Sequence, residues 1–291
     1  MAELFQLDPS GATDEQLQDI VNRHVQWKLR RHPIVADHNV LLLHDSGSIT
    51  RSDADRIYRG MSTCDPEKPI VLVINSTGGE MAPAYFIAKI CREYTKKGFK
   101  VAVAREAKSA ATLICCGADQ IHMGSLSELG PIDPQFGAVP ALALKHSIEH
   151  IAQLVTEYPA ARQMFSDYLS KSLNIQALGY YERVAESAKQ YAERLLSTRI
   201  EVPQQTQTIE AIANRLVYTY KDHGFVIDSR EATDIFGSAV VRCNSEEYRL
   251  ADDLYSALDL IEWVAGNTFT REMTFVGGPS DGCWMTQRRE T

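Results

Sequence analysis

The sequence predicts an α/β fold on a largely parallel sheet, interrupted by a helical insertion. Three observations predict it. A buried apolar run, Pro69-Ile-Val-Leu-Val-Ile74, ends in a glycine turn, Asn75-Ser-Thr-Gly-Gly79, that opens a helix. The unit then repeats: Gly98 stops that helix, Lys100-Val-Ala-Val-Ala104 reads as a strand, and Ala110 to Cys116 reads as a second helix. From about Ala141 to Thr198, Pro159 and Gly179 alone break a stretch otherwise free of both residue types, as two or three helices would be.

The remaining elements follow in order. Thr13 and Gln16 have the spacing of a capping box, and Leu17, Ile20, Val21 and Val25 share one face of the helix behind it. That helix ends at His32-Pro33, because the residue before a proline is pushed out of the helical region. Val40 to Leu43 reads as a buried strand, and Thr50 to Met61 as a short polar-capped helix. The glycine turn opens a helix from about Met81 to Lys97, and Gln120 to Met123 is a fourth short strand. After Pro203 a helix resumes to about Tyr220, His223-Gly224 turns, and Phe225 to Ile227 reads as a strand. Asp228 and Glu231 cap a further helix, and Leu250, Leu254, Leu258 and Ile261 mark the core face of the last one. Beyond Asn267 no period is visible, so a loose tail is expected. The expected organisation is an N-terminal helix over 1–34, one domain over 35–265 with its insertion at about 141–200, and a tail over 266–291.

Composition bounds the function. The 291 residues are 44% hydrophobic, enough for one large core, and the net charge of −8 argues against a nucleic-acid partner. The most basic run, Lys28-Leu-Arg-Arg-His32, is too short to reverse that. No membrane span and no secretory signal are evident, so the reading is cytoplasmic. The six cysteines include no Cys-x-x-Cys pair, which argues against zinc. Cys115 and Cys116 lie in an apolar run and read as buried thiols.

Two segments carry the chemistry. In Asn75-Ser-Thr-Gly-Gly-Glu80 the glycines permit positive φ and close approach of a ligand to backbone N–H groups. It is neither a Walker loop nor a dinucleotide fingerprint, and a tight strand-to-helix turn is the plain alternative. In Ala107-Lys-Ser-Ala-Ala-Thr-Leu-Ile114, Ser109 stands at a strand-to-helix junction among small residues. That suits a nucleophile whose product anion faces a helix N-terminus, but taken alone the segment fits an N-cap serine better.

Together these strings resemble the Clp proteolytic subunits and, more closely, the serine dehydrogenase proteinase family related to signal peptide peptidase A. The matching strings are Ser109-Ala-Ala-Thr-Leu-Ile114, Gly117-Ala-Asp119 and Leu129-Gly-Pro-Ile-Asp-Pro-Gln135, within about Pro69 to Gly137. The resemblance implies a Clp/crotonase-like spiral of repeated ββα units with a helical insertion. It implies Ser109 as nucleophile, the N–H groups of Gly79 and Ala110 as oxyanion hole, and Gly78, Gly130, Pro131, Ile132 and Asp133 beside an extended peptide substrate. Where the Clp subunits carry a catalytic histidine, this chain has Asp133, for which a structural role in a loop stiffened by Pro131 and Pro134 is expected. The signal peptide peptidase branch uses a lysine base, which points to Lys145, with His146, His150, His223 and Asp133 as the other candidates. Lys108 is expected to point elsewhere.

The resulting expectation is a homo-oligomeric serine peptidase acting on peptide or protein, with no cofactor or metal. A non-catalytic Clp-like assembly subunit is the alternative, followed by a crotonase-type acyl-CoA enzyme.

Overall fold

The computed structural model describes residues 4–9, 11–45, 47–133, 135–136, 139–140, 143–172, 175–199 and 207–288. The N-terminal helix α1 (Asp14–Leu29) starts at the capping box the sequence announced. Thr13 Oγ1 accepts the Gln16 N–H at 3.3 Å, and Gln16 Oε1 accepts the Thr13 N–H at 3.0 Å. Then come β1 (Asn39–Asp45), α2 (Arg51–Gly60), β2 (Ile70–Ser76), α3 (Met81–Tyr94), β3 (Phe99–Ala107), α4 (Ala110–Cys116), β4 (Gln120–Met123) and β5 (Glu128–Leu129). A small antiparallel pair, β6 (Gln135–Phe136) and β7 (Val139–Pro140), precedes the insertion helices α5 (Ala143–Glu157), α6 (Arg162–Ser172) and α7 (Ile175–Leu196). The chain closes with α8 (Ile209–Asn214), a π-helical turn over Arg215–Thr219, α9 (Ser229–Phe236), β8 (Val241–Cys243), α10 (Glu246–Thr268), β9 (Arg271–Gly277) and β10 (Cys283–Gln287).

The main sheet runs β10-β9-β1-β2-β3-β4-β8, with β5 added to the end of β3. From β1 to β8 every pair is parallel, whereas β9 and β10 are antiparallel. Strand alternation sends successive side chains to opposite faces and so divides the interior into two cores. Leu41, Leu43, Leu72, Ile74, Val101 and Val103 join one core with helices α2, α3, α4, α7 and α9. Leu42, Val71, Val73, Ala102 and Ala104 join the other with α1 and α10. This is the α/β architecture expected: strand-helix units on a parallel sheet, with a helical insertion between β7 and α8.

Two expectations change. The stretch after Asn267 is no loose tail. β9 pairs with the outer edge of β1, from Leu42↔Gly277 to His44↔Phe275, and β10 pairs with β9. Met273, Phe275, Val276, Cys283 and Met285 are buried there, and that burial orders the segment. Phe225 to Ile227 forms no strand, only a single antiparallel bridge between Ile227 and Leu129. The insertion itself is uneven. No residue of α5 or α6 whose side chain is described is buried, whereas Ala185, Ala188, Ala192, Leu195 and Leu196 of α7 pack into the first core.

Candidate active site

β3 delivers the chain to Ser109, and α4 leaves from it. Ser109 has φ +50° and ψ −114°, a conformation that L residues rarely adopt. The turn is closed by the Ala111 N–H donating to Lys108 O at 2.8 Å. Ser109 occupies the N-cap position of α4, yet its hydroxyl makes no capping bond. A capping serine would be extended and bonded, so the cap alternative does not describe it. The residue is only 7% exposed, more enclosed than a nucleophile in an open cleft.

The glycine turn lies against this serine. A Cβ on Gly78 (φ +108°) would sit 2.6 Å from Lys108 O and 2.9 Å from Ser109 Cβ, so only glycine fits. Gly79 is held from its other side by a parallel bridge to Ile49: the Ile49 N–H donates to Gly78 O at 2.8 Å, and the Glu80 N–H donates to Ile49 O at 2.9 Å. The bridge bonds use Gly78 O and the Glu80 N–H, so the Gly79 N–H points to the opposite side, where it meets no acceptor among the described residues. The Ala110 N–H, in the first turn of α4, is equally free. The two donors named from the sequence are therefore unspent, on the segments that meet at Ser109.

The segment from Gly130 to Asp133 is locked beside this junction. Thr112 Oγ1 of α4 lies 2.6 Å from Ala107 O and 2.7 Å from Gly130 O, and it accepts the Gly130 N–H at 3.2 Å. The Ile132 N–H donates to Leu216 O at 2.8 Å, inside the π-helical turn. A π turn shifts the usual carbonyl pairing, and here a turn carbonyl serves a neighbouring segment. Gly130, Pro131, Ile132 and Asp133 are all buried, and the N–H groups of Gly130 and Ile132 are spent within the fold. Those two N–H groups have no bond left for a bound peptide strand. Thr112 and the π turn were not singled out from sequence; Thr112 stood inside the motif, and nothing local marks the π turn.

Among the described residues the Asp133 carboxylate accepts no backbone N–H, so the expected loop-holding bonds are not seen there. Its Oδ1 is buried without a partner, and its Oδ2 lies 3.9 Å from His223 Nδ1, itself unbonded. Burial pushes the Asp133 carboxyl up from its ordinary value to about 6. Burial lowers His223, opposed by the Asp133 backbone and the Asp222 carboxylate and assisted by the Lys108 charge. Lys108 reaches Glu128 at 2.5 Å and Glu106 at 3.9 Å, turned to the carboxylates as expected. Lys145 and His146 lie in the first turn of α5, with side chains outside the described residues; His150, further along α5, is exposed. Cys115 and Cys116 are free and buried, their thiols pushed up by desolvation. A cavity of about 690 Å³ lined by His44, Asn75, Glu106 and Trp263 does not include Ser109.

Comparison with known proteins agrees with the resemblance read from the sequence. Residues 46–157 match the model of the ClpP-like SDH-type serine proteinases. Over 101 residues the chain is 37% identical to an uncharacterised protein of Methanocaldococcus jannaschii, covering 35% of each chain. A second uncharacterised protein of that organism is 28% identical over 154 residues, covering 51% of each. The chain thus spans about half, or less, of the length of the curated relatives it matches. Among solved structures, ClpP1 from Listeria monocytogenes superposes with a TM-score of 0.44 at 13% identity, over 79% of this chain and 99% of that one. A variant of a membrane-bound stomatin-specific protease superposes with a TM-score of 0.44 at 14% identity, over 87% and 93%.

Proposed function

We propose that the chain is a serine-type peptidase in which Ser109 attacks a peptide carbonyl and forms an acyl-enzyme. One observation carries the reading: Ser109 holds a strained positive φ with its hydroxyl uncommitted, packed against Gly78. Backbone strain of this kind costs roughly 1–3 kcal/mol and collects at functional positions. The free N–H groups of Gly79 and Ala110 are the donors for the oxyanion that forms as Oγ bonds to the carbonyl carbon. The match of residues 46–157 to the model of the ClpP-like SDH-type serine proteinases supports the same class.

The base in this proposal is His223. Asp133 faces its Nδ1, which leaves Nε2 to take the Ser109 proton and return it to the leaving amine. A buried carboxylate beside an imidazole holds its tautomer and stabilises the imidazolium; an isolated Asp133 near pKa 6 is the weaker base. Water then attacks the acyl-enzyme, with the same histidine accepting its proton. Lys145 remains the rival base. The proposal includes homo-oligomeric assembly, a cytoplasmic site of action and peptide or protein substrates, with no metal, nucleotide or nucleic acid. Among the described residues no helix is long and apolar enough to cross a membrane.

Fluorophosphonate labelling tests the reading. Wild type is expected to label at Ser109, Ser109→Ala not at all, His223→Ala far more slowly, and Lys145→Ala at the wild-type rate. Loss of labelling in Lys145→Ala with His223→Ala intact would transfer the role to the lysine. The enclosure of Ser109 and the 3.9 Å gap between His223 and Asp133 favour one other reading, a non-catalytic assembly subunit. An unlabelled wild type selects it.

A further inference from the structure

We propose that Arg199 is a positioning residue for the Ser109 turn, acting through the far end of α4. The inference rests on the reading of Ser109 as nucleophile. α4 has seven residues, all buried, and a helix of two turns has no stability of its own. Its position is therefore set by what grips it. At its C-terminus the guanidinium of Arg199 forms a fork: Nε donates to Cys116 O at 3.0 Å, and Nη2 donates to Cys115 O at 2.9 Å. These carbonyls are the negative end of the helix, so a fixed cation there also compensates the dipole.

The same guanidinium stands 4.9 Å from the ring centroid of Phe236, at the end of α9. Arg199 lies three residues past the end of α7, whose Leu195 side chain would be 3.4 Å from a Cβ on Gly117 at the end of α4. One side chain thus joins the nucleophile helix, the inner helix of the insertion and the helix that follows the His223 turn. A rigid helix transmits a shift at its last carbonyls to its first N–H, and the first N–H here is that of Ala110. Displacement of reacting groups by about 1 Å is enough to lower a rate about a hundredfold. Lysine keeps the charge but cannot form the planar fork.

The test compares Arg199→Met and Arg199→Lys with Leu17→Ala, a cavity in the opposite core chosen to lower Tm without touching α4. Three quantities are measured on folded protein: the rate of fluorophosphonate labelling at Ser109, hydrogen exchange of the α4 amides, and kcat and KM on a model peptide. Arg199→Met is expected to label about tenfold or more slowly. Its α4 amides exchange faster, and kcat falls while KM stays within about twofold. Arg199→Lys retains an intermediate rate, and Leu17→Ala labels like wild type. Arg199 variants that label at the wild-type rate overturn the inference alone, as does an equal loss in Leu17→Ala. Should Arg199→Met not fold, Arg199→Lys decides by the same criteria. A wild type that never labels removes the reading of Ser109 and this inference with it.

Discussion

At Ser109, φ +50° is unfavourable for any residue with a Cβ, whatever its side chain does. Ser109→Gly should therefore be as stable as Ser109→Ala or more so, by up to about 1 kcal/mol, although glycine normally weakens a helix start. Urea denaturation of the two variants checks this. The Asp133 and His223 pair sets a pH limb. In the proposed mechanism activity needs an ionised Asp133, titrating at about 6, and a neutral His223, lowered from 6.5, so labelling should rise with pH and level off near pH 7. A lysine base would keep the rate rising beyond about pH 8. The folded-state pKa of Asp133 lies above its ordinary 3.8, so stability falls as pH rises from about 4 to 6, where the unfolded chain loses its proton first. Asp133→Asn removes that penalty and should stabilise the protein at pH 7 by roughly 1–3 kcal/mol while slowing labelling, as paired denaturation and labelling curves would show. Ser109 and the two glycines could be found in the sequence because each obeys a local rule. The His223 and Asp133 pairing could not, because the single bridge from Ile227 to Leu129 that brings the turn over is decided by tertiary packing.

Among elements, α4 is the clearest case of sequence and structure agreeing, from Ala110 to Cys116, since Ser109 and Gly117 bracket an unbroken apolar run. The π-helical turn is the opposite case. Its extra residue is favoured by a bond made elsewhere, Leu216 O to the Ile132 N–H, and no composition marks it. The strands after α10 did leave a signal. Met273 and Phe275, then Cys283 and Met285, alternate on either side of a glycine-rich turn, but exposed or half-buried residues such as Glu272, Thr274, Trp284 and Thr286 stand between them, whereas β1 and β2 are buried almost throughout. Thr112 joins three segments with one hydroxyl. Thr112→Val keeps the volume but removes the one O–H shared between the Ala107 and Gly130 carbonyls; Ala107 O keeps the Gly130 N–H at 3.2 Å, so Gly130 O loses its donor, at a cost of about 1–3 kcal/mol. Because the Gly130 to Asp133 segment then loosens, labelling should fall in the folded variant; an unchanged labelling rate would restrict Thr112 to stability.

Across the whole molecule, the sheet is closed on one side by the hairpin of β9 and β10. Truncation after Asn267 would strip β1 of its outer partner β9 and uncover the surface of the second core that Met273, Phe275, Cys283 and Met285 cover, so the truncated chain is expected to aggregate, visible as loss of a cooperative melt. Excision of α5 and α6 should leave the sheet folded, because no described side chain of theirs is buried. Light scattering of the excised and full chains would show whether that pair carries the assembly: a full chain that is monomeric at micromolar concentration removes the homo-oligomer from the proposal. The division of the interior into two cores also distributes the thiols. Cys91, Cys115 and Cys116 sit in the core that carries α4, Cys283 in the other, and Cys243 outside both. An alkylating reagent added to the native protein therefore acts as a pair of clocks: Cys243 marks zero time, modification of Cys115 and Cys116 times the opening of the core that carries α4, and modification of Cys283 times the opening of the other. Peptide mass spectrometry could thus tell whether the halves breathe together or separately without a single residue being changed.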